Sequence, residues 1–260
     1  MVRELRRVAE VVDASGDDDL IVWAAQGMKP GVRAWASGDA VAVASPAASR
    51  RDRLAVSGSA AHAIPLVRHA LAESGPSFRP LGDAALVHEV VQGIDEVELI
   101  GGFSWMLTTS LTSREVVADA RGVAWLGEED EPDVTDLLKT ANPDSYAMPG
   151  IPEVRRWAGI RDAGGELVAV AADAWSAPTV GLLAGVATAV SARGHGLGER
   201  VCRFVVSALL AEHGRAALMV DDWNRAAIIV YERLGFSRRG VAAAGVRVSP
   251  SGAAASPASR

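Results

Sequence analysis

Cysteine occurs once in 260 residues, at Cys202. A lone thiol excludes an internal disulfide and a multi-thiolate metal cluster, and it fits a reducing cytoplasm. Lysine is nearly as scarce: it stands only at Lys29 and Lys139, so 26 basic residues minus 2 leaves 24 arginines. With a net charge of −6, the chain lacks the basic surface that nucleic-acid phosphates require. There is no run of about twenty uncharged apolar residues, so no membrane-spanning helix is expected. The opening MVRELRRVAEVVD is charged and has no apolar core of the kind a secretory leader needs. His62, His69 and His88 show no metal-ligand grouping, and no Walker sequence G-x-x-x-x-G-K-[ST] exists. The expectations are a cytoplasmic protein with no metal, no membrane contact and no nucleic-acid partner.

The composition that remains, 49% apolar and 22% charged, is that of a globular chain long enough for two small domains. In the first half, Val32–Ala36 and Val41–Ala44 flank the turn residues Ser37, Gly38 and Asp39, which predicts a hairpin. Arg53–Val56 reads as a third strand. A helix is expected from Ser59 to Glu73, with Ile64, Val67, Ala70 and Leu71 as its apolar stripe and Pro65 near its first turn. Leu81–Gln92 reads as another helix and Glu98–Leu107 as another strand. A second start near Arg114 leads to a strand at Gly122–Leu126 and a helix with an acidic first turn at Glu128–Asp136. Trp157–Arg161 and Leu167–Trp175 form a hairpin, and Leu182–Val190 is an uncharged β run. A helix from Gly198 to His213 carries Val201, Phe204, Val205, Ala208 and Leu209 at helical period. A strand at Ala217–Val220 and a helix from Asn224 to Leu234 follow. The expected division is an N-terminal α/β domain at 1–113, a second domain at 114–247, and a disordered Ala/Ser/Pro/Gly tail at 248–260.

The informative segment is Ala192-Arg193-Gly194-His195-Gly196-Leu197-Gly198, between a strand and a helix. Glycines there let successive N–H groups converge without Cβ obstruction. The following helix start adds unpaired N–H groups and partial positive charge. Together they make an anion cradle suited to a pyrophosphate, to which Arg193 adds charge-assisted hydrogen bonds. A Rossmann dinucleotide site fits the strand–loop–helix order and the acids Asp221 and Asp222, but G-x-G-x-x-G needs glycine where Glu199 or Val201 stands.

The run from Val186 through Arg193-Gly194-His195-Gly196-Leu197-Gly198 resembles the R-G-x-G-x-G/A motif of the GCN5-related (GNAT) N-acyltransferases. Downstream, Asn224-Arg225-Ala226-Ala227-Ile228-Ile229-Val230-Tyr231-Glu232-Arg233-Leu234-Gly235-Phe236 resembles that family's N-x-x-A-x-x-x-Y-x-x-x-G-F. Order and separation agree with the family, and the FR47-like branch is the nearest in pattern. Val190 stands where many relatives have proline.

The resemblance implies an α/β (α+β) GNAT fold, a mixed central sheet flanked by helices, joined to a smaller and possibly degenerate GNAT-like N-terminal half. It implies acetyl-CoA as acyl donor and an amine of a small molecule or peptide as acceptor, with direct attack in a ternary complex. The cofactor arm is expected against Val186, Ala187, Thr188 and Val190. The pyrophosphate is expected on Arg193, Gly194, His195, Gly196, Leu197 and Gly198, with Asn224 and Tyr231 completing the site. Tyr231 is expected to be the catalytic acid that protonates the departing thiolate. No general base is identified: Gly181–Ser191 contains no ionisable residue, leaving Asp173 or a water relay. Cys202 reads as structural. The acidic run Glu128–Asp136 reads first as a solvated helix start and alternatively as an attractor of a cationic acceptor, and Asn142–Trp157 as the segment that shapes the acceptor site. The chain is expected to be a monomer or homodimer. The alternative function is a catalytically silent acyl-CoA-binding or sensing module.

Overall fold

The structure, a computed structural model, describes residues 1–112 and 122–247. The second start near Arg114 and the tail at 248–260 lie outside the described residues. Twelve strands form one sheet. They are β1 (Arg3–Leu5), β2 (Arg33–Ser37), β3 (Ala40–Ala48), β4 (Arg51–Ser57), β5 (Arg79–Asp83), β6 (Val97–Thr108), β7 (Val123–Trp125), β8 (Val154–Arg161), β9 (Leu167–Ala174), β10 (Gly181–Thr188), β11 (Ala216–Val220) and β12 (Ser237–Val246). The helices are α1 (Val8–Ser15), α2 (Asp19–Ala25), α3 (Ala60–Ser74), α4 (Ala84–Gly93), α5 (Glu131–Ala141), α6 (Leu197–His213) and α7 (Arg225–Leu234).

Strand order across the sheet is β1-β2-β3-β4-β5-β12-β6-β11-β10-β9-β8-β7. Every neighbouring pair is antiparallel except β4–β5 and β10–β11. The pattern therefore reads the same from either edge, with β12 and β6 at its centre. Each half supplies one central strand to the other: β12 pairs with β5 at Val241↔Asp83, and β6 pairs with β11 at Leu218↔Met106. Helices α3 and α6 make the crossovers between the parallel strands, as parallel pairing demands.

Successive side chains alternate between the two faces. On β6, Trp105 enters the core that packs with α1, α2 and α5, while Met106 enters the core beneath α6 and α7. On β12, Val241 and Ala242 divide in the same way, Ala242 meeting the core of α3 and α4. Strand β9 is buried along its whole length, as expected of a strand covered on both sides. The halves are also tied by side chains: Trp23 Nε1 and Gln26 Nε2 both donate to the Trp175 carbonyl, at 2.9 and 3.0 Å.

Two expectations are corrected. Leu81–Gln92 is not one helix: Leu81 and Gly82 belong to β5, and α4 starts only after Asp83, whose carboxylate caps it through Ala85 N. The run Leu182–Val190 ends as a strand at Thr188, and Val190–Ala192 is a single 3₁₀ turn. Among the described residues no helix is long and apolar enough to cross a membrane.

Candidate active site

Strands β10 and β11 touch only at their starts, through Gly181↔Ala216 and Leu182↔Ala217. Beyond that point β11 stays with β6 and β10 stays with β9, so a V-shaped opening lies between them. A bulge between Ala184 and Ala187 sharpens the divergence. Its extra residue includes Gly185, at φ +60°, where an added Cβ would stand 2.4 Å from the Trp157 ring and 3.1 Å from Ala147. Only glycine fits there. Along β10, Ala187 is buried, Val186 and Thr188 are half-buried, and Val190 is 67% exposed just past the strand. The Val186 carbonyl accepts a hydrogen bond from Asn142 Nδ2 at 3.1 Å, which fastens the end of α5 to the bulge.

The glycine turn follows. Gly194 and Gly196 have φ of +81° and +73°, and a Cβ on either would meet nothing within 4 Å. These glycines are required by backbone conformation and border open space. Gly196 is the N-cap of α6 and brings no side-chain cap. The N–H groups of Leu197 and Gly198 precede the first intrahelical acceptor, since the ladder begins at Arg200 N to Gly196 O, 3.0 Å. The helix dipole adds positive potential there. His195 is exposed, its Nδ1 3.4 Å from the Ala192 carbonyl. Arg193 is partly committed: Nε donates to the Thr188 carbonyl and Nη2 to that of Ala141, both at 3.2 Å. It braces the β10 exit against the C-terminal end of α5.

Asn224 caps α7, its Oδ1 accepting from Ala227 N at 3.2 Å. One and two turns on, Ile228 and Tyr231 enter the core shared with α6. The Tyr231 ring meets Phe236 edge-on at 6.0 Å between centroids. Burial, and secondarily the nearby Cys202 thiol, push the Tyr231 phenol well above its ordinary value of 10. It therefore stays protonated. Cys202 is itself pushed up to about 12, chiefly by burial, so it holds no thiolate and serves as packing.

Asp173 is not a free base. It is fully buried on β9, where Arg156 Nε reaches it at 3.1 Å and Ser176 Oγ donates at 2.6 Å. Its register partner is Leu183, near the closed end of the β10–β11 pair. The acidic residues Asp130 and Asp133 are held by Arg161, so this part of the acidic run forms ion pairs on the protein's own surface.

The N-terminal half has the same strand pattern and a closed version of the site. Where the β10–α6 loop is long and open, β4 passes to α3 through Gly58 and Ser59 alone. A Cβ on Gly58 would strike the Ala40 backbone at 2.5 Å. The α3 N-terminus already holds an anion: the Asp39 carboxylate accepts from Ser59 N, Ser59 Oγ and His62 Nδ1. Those hydrogen bonds, His62 first, pull the Asp39 carboxyl below its usual value.

The sequence marked Asn142–Trp157 as a segment shaping the acceptor site but did not distinguish Asn142, Ala147 and Trp157 within it. Gly185 carried the one usable signal, a glycine inside an otherwise continuous strand pattern.

Residues 158–244 match the family model described as FR47-like protein. Solved structures of similar fold include a GCN5-related N-acetyltransferase from Kribbella flavida, 21% identical with a TM-score of 0.56, covering 88% of this chain and 94% of that one. A GCN5-related N-acetyltransferase-like protein from Streptococcus suis is 12% identical with a TM-score of 0.55, covering 92% and 98%. A GCN5-related N-acetyltransferase from Sphaerobacter thermophilus is 14% identical with a TM-score of 0.53, covering 94% of each. No curated protein matches the chain. The fold is thus that of the GNAT acetyltransferases, and the similarity spans both halves. The family match covers residues 158–244 alone, whereas the likeness of fold to the GNAT acetyltransferases extends over most of the chain.

Proposed function

We propose that the protein is an acetyl-CoA-dependent N-acetyltransferase whose donor site is the β10–β11 opening with the turn Arg193–Gly198. The observation that carries this reading is the pairing of two splayed parallel strands with an uncapped, glycine-lined helix start at their carboxyl ends. Extended backbone between splayed strands suits an amide-bearing arm, and the turn suits a pyrophosphate. Bound acetyl-CoA supplies the activated acyl thioester.

The chain's own residues then have distinct tasks. Leu197 and Gly198 N–H groups hold phosphate oxygens, and Arg193 keeps the turn in shape while adding positive charge. The β10 backbone past the bulge orients the acyl carbonyl and polarises it. The acceptor nitrogen forms the new bond as the carbon–sulfur bond breaks. The Tyr231 hydroxyl, protonated and free of any protein hydrogen bond among the described residues, gives its proton to the leaving sulfur. The amine's proton leaves to water, since Asp173 is enclosed. Residues 1–113 serve as a GNAT-like half without a donor site, completing the sheet and walling the acceptor side, while 114–247 carry the chemistry.

The enclosed Asp173 also supports a second reading, a silent acyl-CoA-binding module. Free-CoA release measured over an amine panel separates the two: binding of acetyl-CoA with no release above hydrolysis would leave only the second, and no binding would remove both.

A further inference from the structure

Where the β3–β4 hairpin meets the segment after α5, arginines gather that form no ion pair among the described residues. Arg50 and Arg51 line a recess of about 230 Å³ with Pro143, Asp144, Ser145 and Tyr146. The Arg51 guanidinium lies 5.6 Å from the Tyr146 ring centroid. Arg53, on the same face of β4 as Arg51, is only 5% exposed, and its register partner on β5 is Arg79. Among the described residues its one protein hydrogen bond is a long contact from Nε to the Ala48 carbonyl at 3.4 Å. Burial foremost, with Arg79 and Arg51 acting in the same direction against nearby Tyr146, pulls the Arg53 pKa down to about 10.

No ion pair joins Arg50, Arg51, Arg53 or Arg79 to a carboxylate among the described residues. Burying a guanidinium without a partner is expensive, and a fold keeps such a group where a ligand supplies the missing charge. Asp144 is the only carboxylate lining the recess, so the surroundings remain positive.

The location gives this charge a use. Asn142 is fastened to the Val186 carbonyl on β10, and Ala147 lies against the Gly185 bulge. The residues between them form the recess wall. Tyr146 follows Asn142 by four residues, which places the recess within about 14 Å of the β10 bulge. A small acceptor spans that distance.

We propose that this recess recognises an oxyanion on the acceptor, so that the acetylated amine also carries a carboxylate or a phosphate. The proposal rests on the acyl-transfer reading of the β10–β11 opening. Guanidinium forks bind both oxyanions bidentately, and buried Arg53, two residues along β4 from Arg51, adds positive charge behind the recess.

Three measurements on the full chain test it. Calorimetry with acetyl-CoA reports the donor site: absence of binding removes the acyl-transfer reading and leaves the recess to be judged by its own ligands. Glutarate and inorganic phosphate, titrated into wild type, Arg51→Gln and Arg53→Lys, report the recess. Wild type is expected to bind at least one of them, and each variant to bind it about tenfold more weakly. Arg53→Lys keeps charge and volume but loses the fork, so it guards against simple misfolding. Absence of binding in wild type, or equal binding in the folded variants, overturns the proposal. CoA release is then compared for 6-aminohexanoate against 6-aminohexanol, and for phosphoethanolamine against ethanolamine. A kcat/KM ratio of about ten or more for an anionic member, carried mainly by KM and lost in Arg51→Gln, is expected. Ratios near one for both pairs overturn the acceptor role, and the pair that shows the preference tells carboxylate from phosphate.

Discussion

At the scale of single residues, Tyr231 and Cys202 show how one core sets opposite fates for two acidic groups. Both are buried beneath α6 and α7, and both are driven towards the protonated form. For the phenol proposed above as proton donor, the protonated form is the one that role requires. In that proposed role, a raised pKa would make full transfer to a thiolate unfavourable until the sulfur is itself desolvated, tying proton donation to a filled site. Tyr231→Phe is therefore expected to lower kcat by roughly 10²- to 10⁴-fold while leaving acetyl-CoA affinity near wild type. Equal kcat values in the two proteins would remove Tyr231 from the reaction. For Cys202 the same burial means inertness. Iodoacetamide at pH 8 should leave the native thiol unmodified and label it only after unfolding, and rapid native labelling by mass spectrometry would contradict the packing described.

At the scale of elements, the glycine turn and the ion-paired strand end make separable demands. Gly196 sits in the left-handed region with open space around it. Gly196→Val is expected to cost about 1–2 kcal/mol of stability through backbone strain and to weaken acetyl-CoA about tenfold or more by obstructing the turn. Calorimetry and thermal unfolding read the two effects apart, and unaltered affinity would dissociate the turn from phosphate binding. At the other end of β10, Asp173→Asn removes the charge that Arg156 and Ser176 surround. A loss of about 3 kcal/mol with an unmoved pH–rate profile is expected of a structural carboxylate; a profile displaced by a unit or more would return Asp173 to the chemistry. These elements differ in how far the sequence announced them. Helices α3 and α6 and the β8–β9 hairpin were legible because apolar period and turn residues agreed. Strand β12 was not, because Arg238, Arg239 and Gly240 lead into a run of alanines with no β-branched signal after Val241. Strand β5 was absorbed into a helix because Leu81 continues the apolar period of α4 backwards, and only the Asp83 cap separates them. The glycine turn between β10 and α6 was readable from local spacing. Its closure by Asn142 and the arginine recess both depend on contacts between distant segments, which no local pattern encodes.

At the scale of the whole molecule, the palindromic strand order means that neither half owns a complete sheet. Strand β6 separates β11 from β12, and β12 separates β5 from β6, so each half leaves a gap where the other's strand belongs. The core around Trp23, Trp105 and Trp175 is likewise built from both halves. One half has kept an open helix N-terminus. In the other, Asp39 occupies the helix N-terminus, and Arg53 and Arg79 pair at the opposite end of its parallel strands. The two halves thus share one sheet and one core. A single cooperative unfolding transition is expected by calorimetry, with calorimetric and van't Hoff enthalpies equal. A chain beginning at residue 122 is expected to lack cooperative unfolding, because β11 and β12 would both face exposed, unpaired edges where β6 now lies. Two resolved transitions in the full chain, or a shortened chain that unfolds cooperatively and binds acetyl-CoA, would show that the exchanged strands are dispensable and that the halves fold independently.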